Sequence, residues 1–404
     1  MTIPSSAEDR YVTDIAWFAP TCGVMLISIL SRKLCAAVLI AAFALPLAFV
    51  IWRAIVGRGS WWLKILRGLG HLVVILLAQA LLVTGVFLYA NREYGFFVSW
   101  SDLLGEVQPE APVHDLVPIR RMKVKDIPIS KSNPHPDGQL SGMMMPGTDA
   151  RYAHVPVWLP PQYFEKSEHG TRFPVLFYIG GVNDTGEHDN KSIDLIGPAT
   201  EFVKSRKVNP FVIVFLPGRI RNGIDSECVD VGPYKHETWI MKTVIPQIES
   251  HFRVGHERGS RFIGGWSTGG YCAANLSTKY PRKFNAGFSM GGYYHPMFEN
   301  PNIARMARPF MAQNSVVRRV QERKINRSVR FLSVLNRNDV QSWGPGPQPV
   351  FSNGQVGPDG GQFHHVAKDM KQFAFIVLTG GGHRDSVYMP YTEQSLQWLG
   401  QFGL

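Results

Sequence analysis

Cysteine is scarce in this chain of 404 residues: there are four, and none lie in C-x-x-C spacing. That excludes a disulfide-held scaffold and a thiolate metal or redox motif. No Lys/Arg run is interleaved with aromatics, so the formal charge of +11 gives no reason to expect a nucleic-acid partner. No phosphate-cradling Gly-rich loop ends in Lys-Ser/Thr, and no dinucleotide fingerprint follows the first strand pattern. No cofactor and no metal are therefore expected. Glu187-His188-Asp189 comes nearest to a metal cluster, but its spacing matches no known ligand set, and it reads as pocket rim or surface. Glycine (39) and proline (28) fall short of a low-complexity composition, and 45% hydrophobic content rules out a disordered chain.

The apolar residues are unevenly placed. Three runs crowd the start: 15–30 (IAWFAPTCGVMLISIL), 34–52 (LCAAVLIAAFALPLAFVIW) and 71–90 (HLVVILLAQALLVTGVFLYA). A helix needs about 20 residues to cross a bilayer. The second and third runs have that length, and the first reaches it as 12–31. No polar face breaks residues 72–89, against a soluble core helix. A cleaved leader fits poorly, because Glu8, Asp9 and Asp14 oppose Arg10 where a basic stretch is required. The expectation is a multi-pass membrane region over 1–91, with spans at about 12–31, 34–52 and 71–90. Residues 53–70 hold Arg53, Arg58, Lys64 and Arg67 and no acid, which assigns that turn to the cytoplasm and the C-terminal part to the outside. Arg32 and Lys33 weigh the other way.

Residues 92–120 read as a juxtamembrane linker, and 121–404 as one domain. Short apolar strands are expected at 121–129, 153–159, 173–179, 211–216, 261–264, 286–289, 330–335 and 373–378. Helices are expected at 199–205, 237–251 (with Pro246 as a kink or a boundary), 271–280 and 391–402. Buried strands alternating with helices imply an α/β fold with a mostly parallel sheet covered on both faces. The glycine-rich stretch 343–361 reads as a loop at the rim of the sheet.

Gly265-Trp266-Ser267-Thr268-Gly269 is a G-x-S-x-G motif between a strand and a helix. In that setting a serine sits on a sharp turn whose flanks leave no room for side chains. A serine nucleophile needs a base and an acid to orient it, in the order Ser, acid, His for this architecture. His383 follows the last strand in a Gly380-Gly381-Gly382 loop and is the expected base, ahead of His364 and His365. Asp339 follows the preceding strand and is the expected acid, ahead of Asp369, Asp385 and Glu322. The oxyanion donors are expected to be the amide of Thr268 and one from the loop at 180–186, Val182 first and Gly181 second. Residues 183–200, 291–320 and 341–365 are expected to shape the pocket. If the domain is exported, a Cys228–Cys272 disulfide is permitted; otherwise both are buried thiols.

These residues resemble the esterase D and antigen 85 mycolyltransferase superfamily of α/β hydrolases, and most closely its actinobacterial membrane-anchored members. The likeness rests on residues 153–163 (AHVPVWLPPQY), 178–182 (YIGGV), 227–230 with 237–239 (ECVD…ETW) and 264–274 (GGWSTGGYCAA), with 91–105 similar to the juxtamembrane piece of the anchored members. The resemblance implies an α/β-hydrolase fold with Ser267 as nucleophile and His383 as base. The mycolyltransferases carry a glutamate as acid, whereas Asp339 is similar to the plain esterase branch. The function expected is a serine esterase acting on acyl esters outside the cytoplasmic membrane. Alternatives are an acyltransferase working on envelope glycolipids, and a non-catalytic envelope protein on a hydrolase scaffold. Oligomeric state is not legible.

Overall fold

The computed structural model describes residues 28–55, 61–107, 124–125, 127–147, 152–182, 195–220, 224–344 and 358–404. Among the described residues two long helices come first, α1 (Arg32–Ile55) and α2 (Trp61–Tyr94). They pack as an antiparallel hairpin. Near one end the Cys35 thiol reaches the Gly85 carbonyl, and Leu39 fills the space that a side chain at 85 would need. Near the other end Arg53 meets His71. A small residue at such a contact lets apolar helices approach closely. Most of the remaining apolar side chains point outward: Ile40, Phe43 and Val83 are each about two-thirds exposed (67%, 69% and 69%). Residues 32–53 and 68–94 are long and apolar enough to cross a membrane. The expected first span, 12–31, lies outside the described residues except for 28–31, which form a turn. The basic pair Arg32-Lys33 lies in the first turn of α1 rather than in a loop.

After α2 the chain makes a short helix, α3 (Trp100–Leu103), and then leads to an eight-stranded sheet. The strand expected at 121–129 is not formed at its described positions. Lys125 gives its backbone N–H to the Asn209 side chain instead of a strand partner, and Pro128 has no N–H to give. The first strand is β1 (Gln139–Pro146), an exposed edge whose methionines and glycine gave no alternating signal. It pairs antiparallel with β2 (Tyr152–Leu159), and Gly142 leaves room there for the His154 ring. Next come β3 (Val175–Ile179) and β4 (Val212–Leu216). The small hairpin β5 (Asp230–Val231) with β6 (Tyr234–Lys235) stands apart. Then follow β7 (Arg261–Trp266), β8 (Ala286–Met290), β9 (Phe331–Asn336) and β10 (Phe373–Leu378). The order is β1-β2-β4-β3-β7-β8-β9-β10, and all pairs from β4 to β10 are parallel.

Side chains alternate between the two faces. Val175, Phe177, Ile179, Val212, Val214 and Ile263 pack under one helical layer, and Leu176, Tyr178, Ile213, Phe215, Phe262 and Phe288 under the other. This is why the strands read as unbroken apolar runs. The layers include α4 (Ile196–Lys204) and the segment expected as a helix at 237–251. That segment is composite: α5 (His236–Trp239), a π-helical stretch Ile240–Val244, and α6 (Ile245–His251). Pro246 cannot donate to a carbonyl four residues back, and the wider winding just before it absorbs the mismatch.

A disulfide joins Cys228 to Cys272 across 44 residues and ties the loop before β5 to α7 (Thr268–Lys279). Closing a loop of that length restricts the unfolded chain. Replacing both cysteines by alanine is expected to cost roughly 2–5 kcal/mol of stability. Thermal unfolding of the double variant beside the parent protein measures this.

Candidate active site

Ser267 stands between β7 and α7, near the middle of the sheet. Its backbone has φ 55° and ψ −120°, in the left-handed half of dihedral space that L-residues avoid. The flanking glycines make that turn possible. A Cβ on Gly265 would collide with the backbone of Gly269, and one on Gly269 with the carbonyls of Ile179 and Gly180. The turn thus presses against β3 with no spare volume, and the serine hydroxyl is lifted to the C-terminal ends of the parallel strands. Open α/β sheets bind ligands at that edge.

Three strand ends converge there. Ser267 Oγ lies 2.8 Å from His383 Nε2, and His383 Nδ1 lies 2.7 Å from Asp339 Oδ2. Asp339 is fully buried. Its Oδ1 accepts the N–H groups of Gln341 (2.8 Å) and Ser342 (3.2 Å), and its Oδ2 also accepts the Tyr388 hydroxyl. Burial and the adjacent Asp339 charge hold that phenol well above its ordinary range, so it remains a donor. The loops after β9 and β10 are joined by Asn336, whose amide donates to the Gly380 (2.8 Å) and Gly381 (3.2 Å) carbonyls, and by Asn338, whose Oδ1 accepts the Gly380 N–H at 2.8 Å. Gly380 and Gly381 have φ of 85° and 70°, which explains glycine at both positions.

The other candidates fall elsewhere. His364 lies on the helix Gly360–Ala367, packed against Trp343 and Phe375, and His365 is on the same helix. Asp385 begins the short helix Asp385–Tyr388, and Asp369 lies in the turn before β10. Glu322 is a surface group between Lys324 and Arg318, whose hydrogen bonds pull its carboxyl down to about 2. Glu187, His188 and Asp189 lie outside the described residues, as do 183–194 and 345–357 of the expected pocket loops. Gly181 borders the serine: a Cβ placed on it would stand 3.7 Å from Ser267 Cβ. Val182 follows it at the last described position of that loop, and Thr268 is buried at the start of α7.

Sequence reasoning missed two aromatic supports. Trp266 stacks on the His383 imidazole, with ring centroids 4.7 Å apart and planes at 16°, and Tyr388 donates its hydroxyl to Asp339. Trp266 occupies the free position of G-x-S-x-G, so the motif carried no signal for it. Tyr388 follows His383 by five residues, and only the fold turns it back toward Asp339.

A second polar cluster adjoins the Ser267 turn. The Tyr293 hydroxyl lies 2.6 Å from Glu227 Oε1 and 3.1 Å from Thr268 Oγ1. Glu227 is fully buried, and burial with the neighbouring Asp225 charge raises its carboxyl well above the usual range. Burial pushes Asp225 up to about 6. An unfolded aspartate titrates near about 3.9, so the native state holds this proton more tightly. The stability it contributes is full below about pH 4 and is lost as pH rises through about 6. Asp225→Asn should therefore gain on the parent protein between about pH 4 and pH 6.5 and keep a constant lead above that. Unfolding temperatures of both proteins across that range are the check, and a difference that never changes with pH would refute it.

Residues 150–348 match the Esterase family model, described as "Putative esterase". The stretch includes Ser267 and Asp339, and His383 lies beyond it. Mycobacterium tuberculosis has a protein named as an esterase that is 30% identical over 141 residues, covering 34% of this chain and 28% of that protein. An uncharacterized Corynebacterium glutamicum protein is 26% identical over 150 residues, covering 37% and 34%. The matched regions thus span about a third or less of those relatives. Among solved structures, a ferulic acid esterase superposes with a TM-score of 0.54 at 20% identity, covering 66% of this chain and 99% of its own. An S-formylglutathione hydrolase from Agrobacterium tumefaciens gives 0.51 at 15%, covering 66% and 95%. At these identities the likeness is one of fold.

Proposed function

Taking the chain as an esterase-like α/β hydrolase, we propose that it is a serine esterase, held in a membrane by its N-terminal helices, that cleaves acyl esters on the extracytoplasmic side through an acyl-enzyme on Ser267. The observation that carries this reading is the continuous hydrogen-bonded path from Ser267 through His383 to the buried Asp339, with separations of 2.8 and 2.7 Å.

His383 Nε2 takes the serine proton as Oγ attacks the ester carbonyl. Asp339 fixes the tautomer with the proton on Nδ1 and stabilises the imidazolium that forms. The amides of Thr268 and of Val182 or Gly181 face the developing oxyanion. The imidazolium then protonates the leaving alkoxide. Water, deprotonated by His383, attacks the acyl-enzyme and releases the acid.

Three features support the membrane placement. The α1–α2 hairpin is apolar outward; residues 53–70 hold Arg53, Arg58, Lys64 and Arg67 and no acid; and the disulfide suits an oxidising compartment. With a further span at 12–31, the N-terminus is cytoplasmic. Acyl esters of lipids or glycolipids are the substrates such an anchor favours.

A fluorophosphonate that cannot cross membranes tests nucleophile and topology together on intact cells. The expected result is a label on the native protein and none on Ser267→Ala. A label seen only after lysis would keep the serine enzyme and reverse the topology. Absence of any label on folded protein would remove the serine chemistry.

A further inference from the structure

The chain that leaves α2 does not simply link two parts of the protein. It runs across both loops that carry the proposed base and acid. Asn91, fully buried at the end of the helix, holds residue 97 from both sides: its side-chain amide donates to the Phe97 carbonyl at 2.9 Å, and its Oδ1 accepts the Phe97 N–H at 2.7 Å. Gly95, at φ 62°, turns the chain back. Its carbonyl accepts the N–H of His383 itself at 3.0 Å. Gly382 has no room for a side chain, because the carbonyls of Gly95 and Phe96 occupy that space.

The next contact is ionic. Arg384 places its guanidinium on both oxygens of Asp102, with Nη2 2.7 Å from Oδ1 and Nη1 3.0 Å from Oδ2. The Asp102 side chain is fully buried, and its Oδ2 also accepts the Val98 N–H at 2.9 Å. Arg384 further donates to the Phe96 carbonyl and lies 4.3 Å from the centre of the Phe97 ring. On the acid side, Gln341 donates to the Glu93 carbonyl at 2.7 Å, and Val340 packs against Gly95. A planar, two-point Arg–carboxylate contact fixes direction as well as distance.

We propose that residues 91–102 are a positioning strap of the active site, in which Asp102 acting through Arg384, and the Gly95 carbonyl acting on the His383 N–H, hold the base loop in register with Ser267. This rests on the serine-esterase reading above and adds to it that the membrane hairpin is continuous with the element that sets the base. The Gly380-Gly381-Gly382 loop needs such support, since three successive glycines leave its backbone freer than any other sequence would. Displacing a catalytic group by about 1 Å can cost on the order of 100-fold in rate. Asp102, Arg384 and Gly95 touch no reacting atom. Their effect passes through His383.

The full-length protein in detergent micelles, assayed on a soluble p-nitrophenyl ester, tests this. Asp102→Ala is expected to lower kcat and the rate of fluorophosphonate labelling together, by about 10- to 100-fold, with KM within about twofold. Asp102→Glu, which keeps the carboxylate, is expected to recover most of the loss. Should Asp102→Ala not fold, Arg384→Lys keeps the charge but loses the two-point contact, and a fall in kcat at unchanged KM is expected there. Parent-like kcat and labelling rate in a folded Asp102→Ala or Arg384→Lys variant would overturn the strap. So would a loss that tracks only the unfolding temperature and is equal in Asp102→Glu. Failure of the underlying reading looks different: the parent protein itself would not be labelled, or Ser267→Ala would keep full activity.

Discussion

Ser267→Ala is expected to lower kcat for ester hydrolysis by about 10⁶-fold while leaving the fold intact. Alanine fits the turn at φ 55° no worse than serine, and Oγ makes its hydrogen bond to His383 alone among the described residues. What disappears is the nucleophile and with it the acyl-enzyme route. His383→Ala should cost nearly as much, because the serine then has no proton acceptor. The double variant should be no worse than either single one, since the groups act as a unit. Steady-state kinetics on a p-nitrophenyl ester, with circular dichroism to verify folding, measures all three. Additive losses would mean that serine and histidine work in separate steps.

Asp339→Asn is expected to lower kcat by about 10⁴-fold with little change in KM. The reason lies in the acid's shell. Oδ1 accepts two backbone N–H groups, from Gln341 and Ser342. An asparagine would keep its oxygen there, because an amide NH2 facing two N–H donors is repelled. Its NH2 would then point at His383 Nδ1. That nitrogen would have to become the acceptor, and the ring proton would move to Nε2, facing Ser267 Oγ. The base would present a proton where it must receive one. The Tyr388 hydroxyl, which donates to Oδ2 in the parent protein, can rotate and accept from the NH2, so the variant should fold. Asp339→Ala leaves a cavity and no orienting group, and should be as inactive as Asp339→Asn but less stable. Retention of more than about a tenth of kcat in Asp339→Asn would assign the acid's role to another carboxylate.

Much of this protein was legible in its residues, for reasons of periodicity and sterics. Among the described residues, seven of the eight strands of the large sheet overlap expected apolar runs, ending within one or two residues of them, because a strand buried on both faces has to be apolar throughout. The nucleophile turn was legible because only glycine fits at 265 and 269. Asp339 and His383 were legible from their places just past strand ends, which a parallel sheet gathers along one edge. The edge strand β1 was not, because an exposed strand with glycine at 142 shows no alternation. The apolar spacing over 237–251 predicts helix with a kink or boundary at Pro246, and a new helical segment does begin at Ile245. The π-helical stretch depends on how the turns around Pro246 pack, which no local pattern encodes.

The sequence by itself thus determined the α/β fold class and two apolar helices, and it picked out Ser267, His383 and Asp339 as candidates, because each depends on local periodicity, a steric exclusion or chain order. Only the tertiary structure decided what supports them. Trp266 on the imidazole, Tyr388 on the acid and Asp102 on Arg384 are pairings of residues as much as 282 positions apart. The pairing of Cys228 with Cys272 was permitted by the sequence and made by the packing of one loop on α7. Contacts of that kind have no period and no spacing rule. They exist only once the sheet has brought its strand ends together and the chain leaving the apolar hairpin has been laid across them.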